Sequence, residues 1–156
     1  MEASALFDLV KRNFRYLLEE CEFSAISEEK LPHYDNAEML FQAVDCRIRV
    51  GLDMGAVYVD VSSIASPDYW YDLATILAYL TQGRVRHWDF NIAPNADYDS
   101  KVEKQVQGMA EILRPYCAQI RELSRQGVLD QKRAELDDIG KQLANEWFDK
   151  LTSKHK

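Results

Sequence analysis

The sequence predicts an α+β fold, and three of its patterns carry the prediction. Near the N-terminus, apolar residues recur every three or four positions, which is typical of a helix. Between residues 38 and 62 they alternate with polar residues, which is typical of antiparallel strands. After residue 100, two long helical stripes follow. We therefore expect an N-terminal helix, an antiparallel β-meander of three or four strands, a short helix and a C-terminal antiparallel helical hairpin.

The first predicted element is an amphipathic helix over residues 5–21, with Ser4 as its N-cap. A short strand over Glu22 to Ile26 follows. Proline and Asx residues over 28–37 then predict a loop. The apolar stripe of the helix consists of Phe7, Val10, Phe14, Leu17 and Cys21.

The clearest β pattern is a hairpin that turns at Met54-Gly55, although methionine is a poor residue where a turn needs positive φ. This turn places Arg49 opposite Asp60 on one face, and a slip of one residue would reverse both faces. Residues 38–44 supply the preceding strand, with a tight turn near Asp45. On the apolar face the expected pairs are Leu52 with Val57, Val50 with Val59 and Ile48 with Val61.

A short helix is predicted over residues 73–81, after turn residues at 66–68. Asp72 is its N-cap, and Tyr71 forms a hydrophobic staple with Ile76. This explains Tyr71 but leaves two interpretations for Tyr69 and Trp70. They either pack at the rim of the core or form a platform for a ligand.

Two helical stripes follow an irregular segment over 82–99. Ser100 and Glu103 form a capping box for the first helix, whose stripe keeps its phase across Pro115 and so predicts one kinked helix. Gly127 ends it and Asp130 caps the second helix. The short link predicts that the two helices pack together as a hairpin over 100–152. The stripes are Val102, Val106, Met109, Leu113, Tyr116, Ile120 and Leu123, and then Leu136, Ile139, Leu143, Trp147 and Leu151.

The composition is typical of a single soluble domain over residues 1–156, with 47% apolar and 29% charged residues. The apolar runs are far shorter than the roughly 20 residues of a membrane span, and the N-terminus lacks the basic start of a signal peptide. The three cysteines, Cys21, Cys46 and Cys117, lie in apolar patterns. They predict buried thiols in a reducing compartment instead of a disulfide frame or a zinc site. We therefore expect a cytoplasmic protein that does not bind membranes.

The net charge of −7 is concentrated in the predicted α/β part. Residues 1–99 hold 17 acidic and 8 basic side chains, a balance of −9, whereas residues 100–156 hold 9 and 11, a balance of +2. An acidic surface repels nucleic-acid phosphates and favours a basic protein partner. The alternative is that the acidity only keeps the protein soluble.

Candidate functional residues cluster between Arg84 and Asp89. Arginine and tryptophan dominate interface hot spots, so this segment predicts contact with a partner; the alternative is a surface loop whose Trp88 tucks into the core. His87 and Asp89 also offer a general-base pair, but no serine or cysteine motif marks a nucleophile. The predicted partner-binding residues are Tyr69, Trp70, Arg84, Arg86, His87, Trp88 and Asp89.

Neither a metal nor another cofactor is predicted. Asn95, Asp97 and Asp99 alternate like the start of a calcium loop, but Ser100 and Val106 replace the required glycine and glutamate. Phosphate loops, zinc spacings and aromatic-basic nucleic-acid motifs are missing from the sequence. His155 lies in a charged tail that we expect to fray.

The order of elements over residues 5–81 resembles a group of small bacterial α+β proteins, some of which are similar to immunity proteins of contact-dependent toxin systems. The resemblance lies in the helix, the short strand, the hairpin RIRVGLD and VYVDV, and the segment YDLATILAYL. It implies a non-enzymatic protein that neutralises a partner by binding it, and it brings no catalytic residues. Two alternatives stay open. One is an acidic secretion-type chaperone, a class that is usually dimeric, so a homodimer stays open too; the other is an enzyme that uses His87 and Asp89.

Overall fold

The computed structural model describes residues 1–153, so His155 and its predicted tail lie outside the described residues. The described chain starts with two helices, continues through a sheet and ends with one long helix. The strands are β1 (Ser24–Lys30), β2 (Ala37–Gln42), β3 (Cys46–Asp53), β4 (Ala56–Ser63) and β5 (Tyr71–Asp72). The helices are α1 (Ala3–Asn13), α2 (Arg15–Glu19), α3 (Leu73–Leu80), α4 (Tyr98–Leu113), α5 (Cys117–Arg125), α6 (Val128–Gln131) and α7 (Arg133–Ser153), with a 3₁₀ turn at Arg114–Tyr116.

The sheet is an antiparallel meander in the order β1-β2-β3-β4-β5. The predicted hairpin register is confirmed at every pair, including Arg49 opposite Asp60, where Arg49 Nε lies 2.9 Å from Asp60 Oδ2. Met54 adopts a φ of 50° and Gly55 a φ of 83°, the positive values that a tight hairpin turn requires. One register therefore satisfies the apolar and the charged face together.

The sheet has five strands instead of the predicted three or four. The strand expected over Glu22 to Ile26 extends to Lys30, into the segment predicted as a loop. All seven of its side chains are exposed, so the alternation that reveals a half-buried strand is missing from this edge. The fifth strand contains only Tyr71 and Asp72 and is too short to show a period.

One face of the sheet is buried by helices and forms the core together with them. Helices α1, α3 and α4 pack against this face. The side chains of Ile48, Val50 and Val61 are buried beside those of Val102 and Val106, so residues from both halves of the chain share one apolar cluster. The opposite face carries half-buried polar side chains, among them Arg49 and Asp60.

The predicted helix over 5–21 is two helices, which meet at Phe14. Phe14 leaves helical geometry, with φ −100° and ψ 17°, and its side chain is fully buried. The Asn13 side chain folds back on the last turn of α1 and donates to the Leu9 carbonyl at 2.9 Å. Ser4 is not the N-cap, because α1 begins at Ala3.

The start of α3 is confirmed and the start of α4 is not. Asp72 Oδ1 accepts a hydrogen bond from the Thr75 amide at 2.7 Å, and Tyr71 and Ile76 are both buried, as the staple requires. Helix α4 begins one turn earlier than predicted, because Asp97 Oδ1 accepts from the Ser100 amide at 2.8 Å. The capping box at Ser100 is therefore wrong.

The helix predicted to continue with a kink through Pro115 is divided there into α4 and α5, with no loop between them. Leu113, Arg114 and Cys117 keep helical dihedral angles, and the 3₁₀ turn joins α4 to α5. The Cys117 amide donates to the Arg114 carbonyl, three residues earlier. This bond replaces part of the α-helical hydrogen bonding that Pro115 interrupts. Gly127, at φ 73°, ends α5 as predicted.

The predicted antiparallel hairpin of two long helices is wrong. Helix α7 packs mainly on α3 and β5, whereas α4 packs on α1 and β4. Asp130 lies inside α6 and accepts the hydrogen bond of the Ser63 hydroxyl, whose Oγ is 3.1 and 3.0 Å from its two carboxylate oxygens, instead of capping a helix. The buried stripe of α7 ends at Leu143, so the helix continues past the core.

The cysteines also differ from the prediction. The structure pairs Cys21 with Cys117 in a disulfide whose Cα atoms lie 6.5 Å apart, and it leaves Cys46 as a buried free thiol. The two partners are 96 residues apart in the chain, so only the fold reveals their contact. Among the helices of residues 1–153, none is long and apolar enough to cross a membrane.

Candidate functional site

Tyr69 fixes helix α7 to the end of the sheet. Its hydroxyl donates to Asp137 Oδ2 at 2.6 Å, and the Arg133 guanidinium lies 4.0 Å from the centre of its ring. The hydrogen bond to Asp137 raises the pKa of the Tyr69 hydroxyl. Because both partners belong to α7, these contacts support the packing interpretation of Tyr69 over the ligand platform.

Trp70 lies over the polar face of the sheet, where arginines already occupy the space over its ring. The guanidinium of Arg49 is 4.2 Å from the ring centre and that of Arg47 is 5.5 Å away. Burial raises the pKa of Asp60, and Arg49 opposes that shift. Near Arg49 and Asp60, the Tyr58 hydroxyl donates a hydrogen bond to Glu38 at 2.5 Å. Arg49 pairs with Asp60 and stacks on Trp70, whereas the buried Nε of Arg47 has no hydrogen-bond partner among residues 1–153, so a mostly paired polar network covers this face of the sheet.

The segment from Arg84 to Asp89 is bound to α7 through Glu146. Arg86 Nη2 donates to Glu146 Oε1, and His87 Nε2 lies 2.7 Å from Glu146 Oε2. The hydrogen bond with His87 and the charge of Arg86 lower the pKa of Glu146. We call Arg86, His87 and Glu146 the loop clamp. It joins residues about 60 positions apart in the chain.

His87 and Asp89 do not form the predicted general-base pair. His87 contacts Glu146, while Asp89 Oδ1 accepts from the Asn91 amide at 2.9 Å. Arg84 is held locally, because its Nε donates to the Thr81 carbonyl at 3.2 Å. Asp89 therefore stabilises a turn, and the His87 imidazole contacts the carboxylate of Glu146 instead of that of Asp89.

The two tryptophans beside the loop differ in burial, and Trp147 departs from its predicted place in a buried stripe. Trp88 is half-buried and packs against the core, which the alternative interpretation of this loop described. Trp147 was expected in the stripe of α7, but 59% of it is exposed, and 64% of its neighbour Phe148 is exposed. We call Trp147, Phe148 and Leu151 the α7 patch. It lies directly after the clamp residue Glu146.

A groove of about 390 Å³ separates the loop from the end of α7. Trp88 and Trp147 supply aromatic walls, and Arg86, His87 and Lys150 place basic groups around Glu146. Such a groove can receive an apolar side chain and offer donors to an acidic or carbonyl group beside it. Its surface is therefore suited to a polypeptide.

The acidic residues considered for calcium have other partners. Asp97 caps α4, and Asp99 Oδ1 lies 3.3 Å from the amino group of Met1. Among residues 1–153, no group of three or more His, Cys, Asp or Glu side chains is placed to hold a metal ion.

The sequence analysis missed Glu146, Phe148 and Lys150. One signal was available: Trp147 and Phe148 are adjacent in a helix, so their side chains are about 100° apart and a narrow buried stripe cannot hold both. Glu146 gave no signal, because its partners come from another part of the chain.

The chain matches no protein-family model, no curated protein and no solved structure. The resemblance to immunity proteins stays a prediction from the order of the elements.

Proposed function

We propose that this chain is a non-enzymatic protein-binding domain that contacts a partner through the α7 patch and the adjacent groove. The observation that carries the proposal is the exposure of Trp147 and Phe148, side by side at the end of a helix. Large exposed aromatic groups rimmed by charge mark protein-binding surfaces. Both rings would lose their contact with water in such a complex.

The loop clamp supports this proposal because it fixes one wall of the groove in advance. Arg86 and His87 are both held by Glu146, one residue before Trp147. A wall that is ordered before binding lowers the entropy cost of association. The surface therefore combines one fixed wall of the groove with an apolar anchor on α7.

The partner that fits the charge distribution is basic overall. Residues 1–99 carry a balance of −9, which attracts a basic protein at long range, while Arg86 and Lys150 at the groove accept an acidic or carbonyl group at close range. An immunity-type protein that neutralises a basic partner by binding it has these properties.

Capture experiments with matched variants test the proposal. We expect wild-type protein to retain one basic partner from a lysate of its host, and the double variant Trp147→Ala/Phe148→Ala to lose at least tenfold in affinity for it. Tyr34→Ala is the control, because Tyr34 is an even more exposed aromatic residue (79%) far from α7 in the chain. Equal affinity of the double variant and wild type would contradict this choice of surface.

The exposed α7 patch also favours a second candidate, an acidic secretion-type chaperone. Such a protein would bind an unfolded segment through the same aromatic groups. The two candidates differ in the captured ligand. Binding to the folded partner indicates neutralisation, whereas binding only to its unfolded segment indicates a chaperone.

A further inference from the structure

We propose that Cys21 and Cys117 form a reversible disulfide, which low-molecular-weight thiols and disulfides open and close while the protein stays folded. This pair would be a redox modification site in a part of the molecule separate from the α7 patch. The proposal does not depend on the proposed function.

The backbone holds the two cysteines at bonding distance. Cys21 lies in the turn between α2 and β1, and Cys117 is the first residue of α5. Their Cα atoms are 6.5 Å apart. Disulfides span about 4.4–6.8 Å between Cα atoms, so the bond forms without moving either element.

Arg121 maintains this separation in either redox state. It lies one turn after Cys117, and its Nη1 donates to the Cys21 carbonyl at 3.1 Å and to Glu22 at 3.0 Å. Its Nε also donates to Asp45 Oδ1 at 3.1 Å. These bonds tie the turn at Cys21 to α5 independently of the sulfur atoms. Reduction therefore leaves the two thiols close enough to join again.

The two sulfur atoms differ in access. Cys117 is 1% exposed, whereas Cys21 is only half-buried and lines a cleft of about 310 Å³ beside Arg121. An external thiolate therefore reaches Cys21 first.

Reduction proceeds by two exchanges. The external thiolate attacks the Cys21 sulfur, the bond to Cys117 breaks, and Cys117 takes the electron pair and then a proton. A second external thiolate attacks the sulfur bound to Cys21, which releases Cys21 as a thiol and the external molecule as a disulfide. The protein gains two electrons and two protons, and a low-molecular-weight disulfide reverses both steps.

Cys46 provides an internal control. It is fully buried, and burial raises the pKa of its thiol to about 12. A buried protonated thiol reacts slowly with alkylating agents and disulfides. Reaction of the native protein at Cys21 but not at Cys46 therefore reports on the site and not on general unfolding.

The test incubates native protein in glutathione buffers of increasing oxidising strength, alkylates free thiols with iodoacetamide and maps the peptides by mass spectrometry. We expect a linked peptide pair containing residues 21 and 117 in oxidising buffer, alkylation at Cys21 in reducing buffer, and alkylation of Cys46 only after denaturation. Closing a loop of this length predicts a melting temperature about 10 °C lower for the reduced protein. Cys46→Ala should keep this shift and Cys21→Ser should lose it.

Alkylation of Cys21 in the most oxidising buffer, or a linked peptide that contains Cys46, would overturn the pairing. Reduction that requires denaturant would overturn the reversibility. If Cys21→Ser does not fold, the peptide map of the wild-type protein decides by itself.

Discussion

Glu146 determines where the segment from Arg86 to Trp88 lies, because its carboxylate contacts the side chains of both Arg86 and His87. A single acidic residue on α7 therefore positions a groove wall that the local sequence leaves undefined. Without the clamp, this segment would be held by the half-buried Val85 and Trp88 and by the local bonds of Arg84, Val85 and Asp89.

We expect Glu146→Gln to lower stability near neutral pH, with an effect that disappears in acid. The pKa of Glu146 is lowered in the folded protein from its ordinary value of 4.5, so the clamp contributes stability above that pH. This contribution is lost as the pH falls through the folded pKa, when the carboxylate of the wild-type protein is protonated. Melting curves of both proteins between pH 3 and pH 7 should converge at the acidic end; a difference that is constant with pH would contradict the clamp.

Met54 occupies a turn position that its side chain does not favour. Its φ is 50°, and its side chain is largely exposed. Asparagine adopts this conformation more readily, so we expect Met54→Asn to stabilise the protein by about 1 kcal/mol in urea unfolding. Met54→Ala is the control, because it removes the same side chain and keeps the unfavourable φ. Equal stability of the two variants would show that the turn carries no such strain.

At the scale of elements, the stability of the sheet depends on the burial of its apolar face. We expect Val50→Asp to destabilise the protein by about 3–5 kcal/mol, because the new carboxylate has no partner in the core. Val44→Asp adds the same charge at a residue that is 83% exposed and should change stability by less than about 0.5 kcal/mol. Circular dichroism melts measure both, and similar melting temperatures for the two variants would contradict burial of this face.

The elements differ in how far the sequence predicts them, and the difference has a physical cause. The β3–β4 hairpin was predicted residue by residue, because two side-chain sets and one turn demand the same register. Strand β1 was predicted too short, since an edge strand with seven exposed side chains has no apolar period. The position of α7 was predicted wrongly, because its stripe defines a buried face but not the element that covers it.

The candidate site was predicted less completely than the helices and strands. Sequence reasoning found Arg86, His87 and Trp88, whose residue types are common at interfaces. It predicted that His87 pairs with Asp89, two residues away, whereas in the structure His87 contacts Glu146. Pairs that are distant in the chain, such as this one and Cys21 with Cys117, depend on topology that no local pattern contains.

At the scale of the whole molecule, the negative net charge of residues 1–99 predicts how the association rate constant of a partner depends on salt. If the proposed partner is basic, its association rate constant should fall about tenfold as ionic strength rises from 10 to 150 mM, since the screening length shrinks from about 30 to about 8 Å. The double variant Trp147→Ala/Phe148→Ala should dissociate faster and keep the same salt dependence. Stopped-flow measurements separate the two effects. An association rate that is indifferent to salt would contradict steering by the acidic part.

The end of α7 is expected to open locally more often than the rest of the helix. Leu143 is the last buried residue of this helix, and Glu146 is its last residue held by the loop. The remaining residues up to Ser153 extend for about 10 Å, and within residues 1–153 their hydrogen bonds stay inside the helix, including those from Thr152 and Ser153 to carbonyls of the preceding turn. Their local opening free energy should therefore be small, and amide exchange should speed up within two turns after Leu143. A partner that binds the α7 patch would then slow that exchange, so the helix end would itself report when the surface is occupied.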